Sequence, residues 1–534
     1  MKKLAFLISL LLITVSFSVR AQSYFFYVQL KDKNGSPYSL DKPSDFLSER
    51  ALLRRAHFNI SLDSTDLPVN PYYIKAISSE DIHIHATTKW LNGLTIRLKD
   101  STQIESIKNL DFVDFVQFTG ITDEINQTPS KRKRTKESNY DYGSAATQIN
   151  QLNGQFLHQQ GYKGENIHIA VIDAGFMNVD SNPVFNPLFS EDRLLSTKDF
   201  ANPFSNIYRE DAHGAHVLST MAAEVDGSFV GTAPKASFHL LRTEAAIGEY
   251  LYEPDMWISA IEYADSAGVD LATTSLGYTT FDDAGMDYNY SDLDGKTIRA
   301  SIAANLAYQK GIFLINAAGN DGGNSWRHIG VPADAEGVIT VGSVNKDSLY
   351  SSFSSIGPSA DGRVKPELVA IGQRSAIVNP YGNPTSGNGT SFAAPILAGA
   401  SACFLQAAKK LVPTLSIKEI QELIFKSAHT YETPTPQLGY GIPNFEKAYS
   451  MLLSSSLIKT YHSPSTNKNT FKVVVSDTQN DILLNLSSEI PMQKREVGIY
   501  STSGQLLLKT KVTNNRVILR NNNLQKGIYI LHVH

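Results

Sequence analysis

The sequence holds one cysteine, Cys403, in 534 residues, so no disulfide can form within the chain and stability must come from a packed core. It has no excess of positive charge. The 48 Lys and Arg against 52 Asp and Glu leave a net charge of −4. The basic residues are dispersed apart from Lys131–Arg134, which sets nucleic acid aside as a partner. Beyond the N-terminus no apolar run reads as long enough to cross a bilayer, so a membrane-spanning protein is not expected. What remains is a globular composition, 42% apolar and 19% charged, in a chain long enough for about three domains.

Residues 1–21 have the layout of a secretory signal peptide: Lys2 and Lys3, the apolar run Leu4–Phe17, then small and polar residues up to a cut after Ala21. The unit 22–118 reads as a small α+β fold in split β-α-β order. Strands are expected at Phe25–Leu30, Trp90–Leu98 and Phe112–Phe118, and helices at Asp45–Ala56 and Ser101–Leu110. Residues 119–142 are a polar linker. Its run Lys131-Arg132-Lys133-Arg134 is either a solvated stretch or an exposed processing site.

From 143 to 452 apolar strands alternate with helical segments, the pattern of an α/β domain with a mostly parallel sheet flanked by helices. Its first strand, Asn166–Ile172, ends in Asp173, where open parallel sheets build their sites, although Asp-Ala-Gly also suits a turn. Asp211-Ala212-His213-Gly214-Ala215-His216 opens a helical segment. Its two histidines stand three apart, as metal ligands can, but no glutamate completes a helical zinc motif. One of them held by a carboxylate would serve a serine as general base. The strand Ile312–Asn316 leads to Ala317-Ala318-Gly319-Asn320, whose asparagine suits either a helix cap or an oxyanion. Near the end, SGNGTSFAAPILAGASAC from Ser386 runs from a glycine-rich turn into an alanine-rich helix. Ser391 there sits at a helix N-terminus, where free N–H groups favour an oxyanion.

The motif-bearing residues come in the order Asp, His, Ser, and the position two after Ser391 is Ala393, which excludes the Gly-x-Ser-x-Gly elbow of α/β-hydrolases. The block resembles the subtilisin-like serine peptidases, the S8 or subtilase family. The resemblance runs in family order through VIDAG at Asp173, HGAHV at His213, GTAPKA at Gly231, TSLG at Thr274, NAAGN ending at Asn320, SSFSSIGP at Ser351, VKPELVA at Val364 and GTSFAAP at Ser391.

That resemblance implies Ser391 as nucleophile, His213 as base, Asp173 as its orienting acid, and Asn320 with the Ser391 N–H as oxyanion hole. His216 matches the family's second histidine. Substrate would lie along Ser275, Leu276 and Gly277, with a side-chain pocket completed by Ala318, Gly319 and Gly330. No acid occupies those wall positions and Gly330 is small, so a large apolar or aromatic residue is expected before the scissile bond; a dominant preference for Lys or Arg would overturn this and point to Asp334. Ala174 and Ala215 replace hydroxyl residues of the family pattern, and Leu218-Ser219 replaces Ala-Gly. No cofactor is needed for the chemistry. Structural calcium is allowed: the loop Tyr278–Gly295, with Asp282, Asp283, Asp287, Asn289, Asp292 and Asp294, is either solvated or a calcium site. The 22–118 unit resembles the family's prodomain, with maturation between Thr119 and Ser144.

A Ser/Thr/Asn-rich linker, 453–470, precedes short strands from 471 to 534 that read as a small β-sandwich. VGIYSTSGQLLLK and LQKGIYILHV resemble the sorting domain of type IX secretion, which implies the secretion machinery as a partner. Two functions are weighed: a secreted endopeptidase made as a zymogen, acting on proteins or peptides, and a catalytically silent binding or adhesion protein on the same fold.

Overall fold

A computed structural model describes residues 23–122, 140–245 and 248–456, then the segments 471–476, 481–486, 496–501, 505–511, 516–520 and 529–533. The signal segment and most of both linkers lie outside the described residues.

The N-terminal unit is a four-stranded antiparallel sheet in the order Ile82–Thr88, Gly93–Leu98, Ser23–Leu30, Val113–Thr122. Its central strand is buried along nearly its whole length because its two faces meet different partners. Phe26, Val28 and Leu30 pack with Leu94, Ile96 and Ile104 into the unit's own core. Phe25 packs against Tyr252 and Met256 of the following unit. The first helix runs Glu49–His57, later than its apolar pattern suggested, because Pro43–Asp45 takes a 3-10 turn and Ser48 accepts from Ala51 N as the cap. The helix Pro71–Ile77 and the strand Ile82–Thr88 were not anticipated. Both are short, and the strand mixes His and Thr with its apolar positions.

The second unit carries a seven-stranded, all-parallel sheet in the order Leu368–Ile371, Val338–Val344, Phe313–Ala317, Leu271–Thr274, His168–Asp173, Ser237–Arg242, Leu194–Asp199. Its central strands are buried at every position, as a sheet covered on both faces requires. Ala170, Ile172, Ala272 and Leu314 face the helices Tyr252–Ala267 and Arg299–Gln309. Ile169, Val171, Leu271 and Ile315 face His213–Ala222 and Thr390–Leu411. Strand order reverses direction between His168–Asp173 and Leu271–Thr274, so a crevice opens at their carboxyl ends.

Thr390–Leu411 corrects one expectation. At 22 residues and a mean hydropathy of 1.4 it does reach the length and composition of a membrane span. It is apolar because it is the central core helix, buried at nearly every position up to Ala408. Cys403 on this helix is fully buried, as a small hydrophobe would be.

The two units meet through buried charges. Arg54, Arg55 and Lys89 of the first converge on Asp265 of the second. The Glu262 carboxylate accepts from Thr88 Oγ1 and from the backbone N–H groups of Lys89 and Trp90. Arg299 pairs with Asp255 and lies 4.1 Å over the Tyr27 ring. Beyond residue 470 the described residues form six strands, paired antiparallel in two three-stranded sheets.

Candidate active site

Asp173 ends its strand at the crevice and is fully buried. His213 begins the helix facing it, with its N–H donating to Asp211 Oδ1 at 2.6 Å. Its Nδ1 lies 2.7 Å from Asp173 Oδ1, which places the ring proton there and leaves Nε2 as the acceptor. The contact between them is close because Gly214 follows: a Cβ there would come within 2.9 Å of Asp173 Cβ. Burial alone would lower the His213 pKa. The charge and hydrogen bond of Asp173, with Asp211 and Glu244, outweigh it and leave it raised.

Ser391 lies in the first turn of Thr390–Leu411, after Gly389 at φ +153°, a conformation that favours glycine. Its neighbour Phe392 stands 6.0 Å from the His213 ring, centroid to centroid, so serine and histidine open on the same space. Among the described residues the Ser391 hydroxyl donates to Ser275 O at 3.4 Å and not to His213. Ser275 returns the contact, its hydroxyl donating to Ser391 O at 2.8 Å. Such nucleophile–base bonds often close only with substrate present.

Asn320 is held from the same helix. Its Oδ1 accepts from the N–H of Thr390 at 2.9 Å and from the Thr390 hydroxyl at 3.1 Å, which leaves its Nδ2 hydrogens for another partner. Gly330 N donates to Ala318 O, and Tyr278 and Val331 exchange backbone bonds. These bonds bring the segments 275–278, 317–320 and 330–331 together beside Ser391. Asp334 is not a free acid on that wall: it is buried and accepts from Ser301 Oγ at 2.6 Å and from Gly295 N at 2.8 Å.

The family model described as the subtilase family, peptidase S8, matches residues 164–442, over half of the chain. The chain belongs to the subtilase family. The model of the S8 propeptide domain of Bacteroidota matches residues 25–139. Subtilisin NAT of Bacillus subtilis subsp. natto is 29% identical over 376 residues, covering 70% of this chain and 84% of that protein. Subtilisin DY of Bacillus licheniformis is 30% identical over 294 residues, covering 55% and 94%. The protein is therefore a subtilisin-like serine peptidase, a hydrolase, with an N-terminal propeptide.

Several features of this subtilase escaped the sequence. Most aspartates of the 278–295 loop turn out to serve the local backbone: Asp283, Asp287 and Asp292 accept from N–H groups within it, and Asp294 accepts from Lys296 N and Thr297 N just after it. The carboxylates that do converge are Glu244, Glu249 and Glu253, whose oxygens lie within 4.8 Å of one another. Burial pushes Glu244 and Glu249 up to about 7 and Glu253 well above the usual carboxylate range. Glu244 accepts from Tyr278 OH and Glu253 from Ala245 N. Their spacing, five and four residues across a strand end, a loop and a helix, matches no metal motif and gave no signal. Thr390 was legible only as part of GTSFAAP.

Proposed function

We propose that this subtilase is a secreted endopeptidase made as a zymogen, with Ser391 as nucleophile, His213 as general base, Asp173 as the acid that orients it, and Asn320 with the Ser391 N–H as oxyanion hole. The observation that carries the assignment is the 2.7 Å bond from His213 to Asp173, at a crevice that the Ser391 helix also opens on. Substrate lies extended along Ser275, Leu276 and Gly277. Its carbonyl draws the Ser391 hydroxyl off Ser275 O, and His213 Nε2 takes the proton as Oγ attacks. The charge on the carbonyl oxygen is met by Asn320 Nδ2 and the helix N-terminus. His213 then protonates the leaving amine, and water deprotonated by the same ring hydrolyses the acyl-enzyme.

Export rests on the signal-like residues 1–21. The strands after 471 support a β-sandwich read by the type IX secretion machinery. No cofactor enters the chemistry. Calcium, where bound, would have a structural role, and the acidic 278–295 loop is not proposed as its site, since its carboxylates already serve the loop.

A fluorophosphonate probe tests the assignment. It is expected to label Ser391 in wild type, to fail in His213→Ala, and to label His216→Ala in part. The reverse pattern for the two histidines would reverse their roles, and no labelling of matured wild type would favour the silent binding protein.

A further inference from the structure

Two buried oxygens behind the site have no hydrogen-bond partner among the described residues. One is Oδ2 of Asp173, whose side chain is fully buried. Both nearby donors go to its other oxygen: His213 Nδ1 at 2.7 Å and Ala174 N at 2.8 Å. The second is Oγ1 of Thr273, also fully buried, on the adjacent strand. The parallel register pairs Thr273 with Val171. Side chains alternate across a strand, so Thr273, Val171 and Asp173 stand on one face of the sheet. That face is roofed by the serine and histidine helices, whose Ala394, Ala398 and Val217 pack with Val171 in one apolar cluster.

The chemistry of the chain explains why Oδ2 lacks a donor. The residue after Asp173 is Ala174 and the residue two after His213 is Ala215; neither side chain has a hydroxyl to offer. A buried carboxylate oxygen is normally bonded to the protein or to ordered water. A water needs at least two polar partners, and the two oxygens on this face supply them.

We infer that an ordered water behind Asp173 donates to Oδ2 and accepts from the Thr273 hydroxyl, which makes Thr273 a positioning residue that acts on His213 through Asp173. The inference rests on the roles of Asp173 and His213 given above. Donation to Oδ2 draws charge away from Oδ1 and so loosens its hold on the His213 proton. The other charged or titratable groups that bear on that ring are Asp211 before it, His216 on its own helix and Glu244 beyond the neighbouring strand. Removing the donor therefore leaves His213 more basic, and the enzyme loses its free base at a higher pH.

The test is the pH dependence of fluorophosphonate labelling, together with a crystal structure of the full-length Ser391→Ala protein fine enough to show ordered water. Thr273→Val, nearly the same shape, is expected to move the acid limb up by about one pH unit or less. Thr273→Ser keeps the limb in place. A folded Thr273→Val whose limb coincides with wild type overturns the inference. So does a crystal structure with no water between the two oxygens, which decides the matter even if the valine variant does not fold. Failure of the triad reading is distinguishable, because it shows as unlabelled wild type while the crystal structure still reports on the water.

Discussion

The Thr390 backbone N–H donates to Asn320 Oδ1 at 2.9 Å, so the residue beside Ser391, the proposed nucleophile, fixes which way the asparagine amide points. With the carbonyl end held, only the Nδ2 hydrogens are free to meet a developing charge, and they need no reorganisation when it forms. Asn320→Ala is expected to lower kcat by about 10²–10³, the loss known from removing this kind of donor in subtilisin itself, with KM little changed. Thr390→Val keeps the backbone bond and loses only the hydroxyl, so its loss should be smaller, and Thr390→Ser should restore it. Steady-state kinetics on a peptide substrate reads all three. Unchanged turnover in Asn320→Ala would mean another donor fills the hole.

On the proposed pocket wall, Gly330 is the residue that would set the size. A Cβ there would come within 3.3 Å of Thr279 Cγ2 and 3.4 Å of Tyr278 O, so any side chain intrudes on a wall already in contact. Wild type is expected to prefer a large apolar or aromatic residue before the scissile bond, and Gly330→Val to shift that preference toward small ones. Profiling with a peptide library checks both. Asp334 is committed to Ser301 and Gly295, so a dominant preference for Lys or Arg would have no acid on this wall to explain it.

The parts of this molecule that could be read in advance are those where one residue type is forced by a local condition. The buried parallel strands show as apolar runs, and Gly389 before Ser391 shows a backbone that only glycine adopts with ease. Pairings made by the fold left no such trace. Arg54 meets Asp265 across 211 positions, and nothing near either residue announces the other. Glu253 reads as an ordinary first-turn acid of its helix until the chain brings Glu244 beside it. The hydropathy of Thr390–Leu411 reads the same whether lipid or protein surrounds it, so only packing could tell the two apart.

The three glutamates make stability depend on pH. Burial raises Glu244 and Glu249 to about 7 from an ordinary value of 4.5, so the folded state holds protons that the unfolded state releases. A group raised in this way stabilises the fold fully below about pH 4.5, and that contribution is lost as pH rises through about 7. Glu249→Gln in the inactive Ser391→Ala background should therefore gain melting temperature at pH 8 relative to pH 4.5, compared with Ser391→Ala alone. Working with the difference cancels His85, His158, His168 and His239, which loss of solvation lowers to about 4 and which titrate in the opposite sense. Equal curves for the two proteins would show that the carboxylates are already neutralised by something else.

Asp265 takes three cations from the propeptide at a fully buried position. Burial would raise its pKa, but Lys89, Arg54 and Arg55 hold it well below the usual range. Removing the acid takes the shared counter-charge from Arg54 and Lys89 and leaves Arg55 with Asp66. Asp265→Asn is expected to cost the Ser391→Ala precursor roughly 3–5 kcal/mol in urea unfolding, the range for breaking one partner of a buried pair. A loss below about 1 kcal/mol, the scale of an exposed pair, would mean that water reaches the cluster.

Maturation is bounded by where the chain is held. Val113–Thr122 stays paired with Ser23–Leu30 to its last residue, Thr122 opposite Ser23, and Gly120 fits against Tyr250 and Tyr252 with no room for a Cβ. On the far side Asp141 O already accepts from Gly227 N, and Ser144 N donates to Ser228 O. A cut that spares both units must therefore fall between Thr122 and Asp141, inside the wider window that the linker composition allowed. If the enzyme cuts itself, Ser391→Ala should accumulate as a precursor beginning near Gln22, while active protein begins within that interval. Lys131–Arg134 offers a second route, cleavage by a separate protease with basic specificity. Mass spectrometry of both proteins separates the cases: equal processing of Ser391→Ala rules out self-cleavage, and a wild type that is active while still uncut removes the zymogen reading altogether.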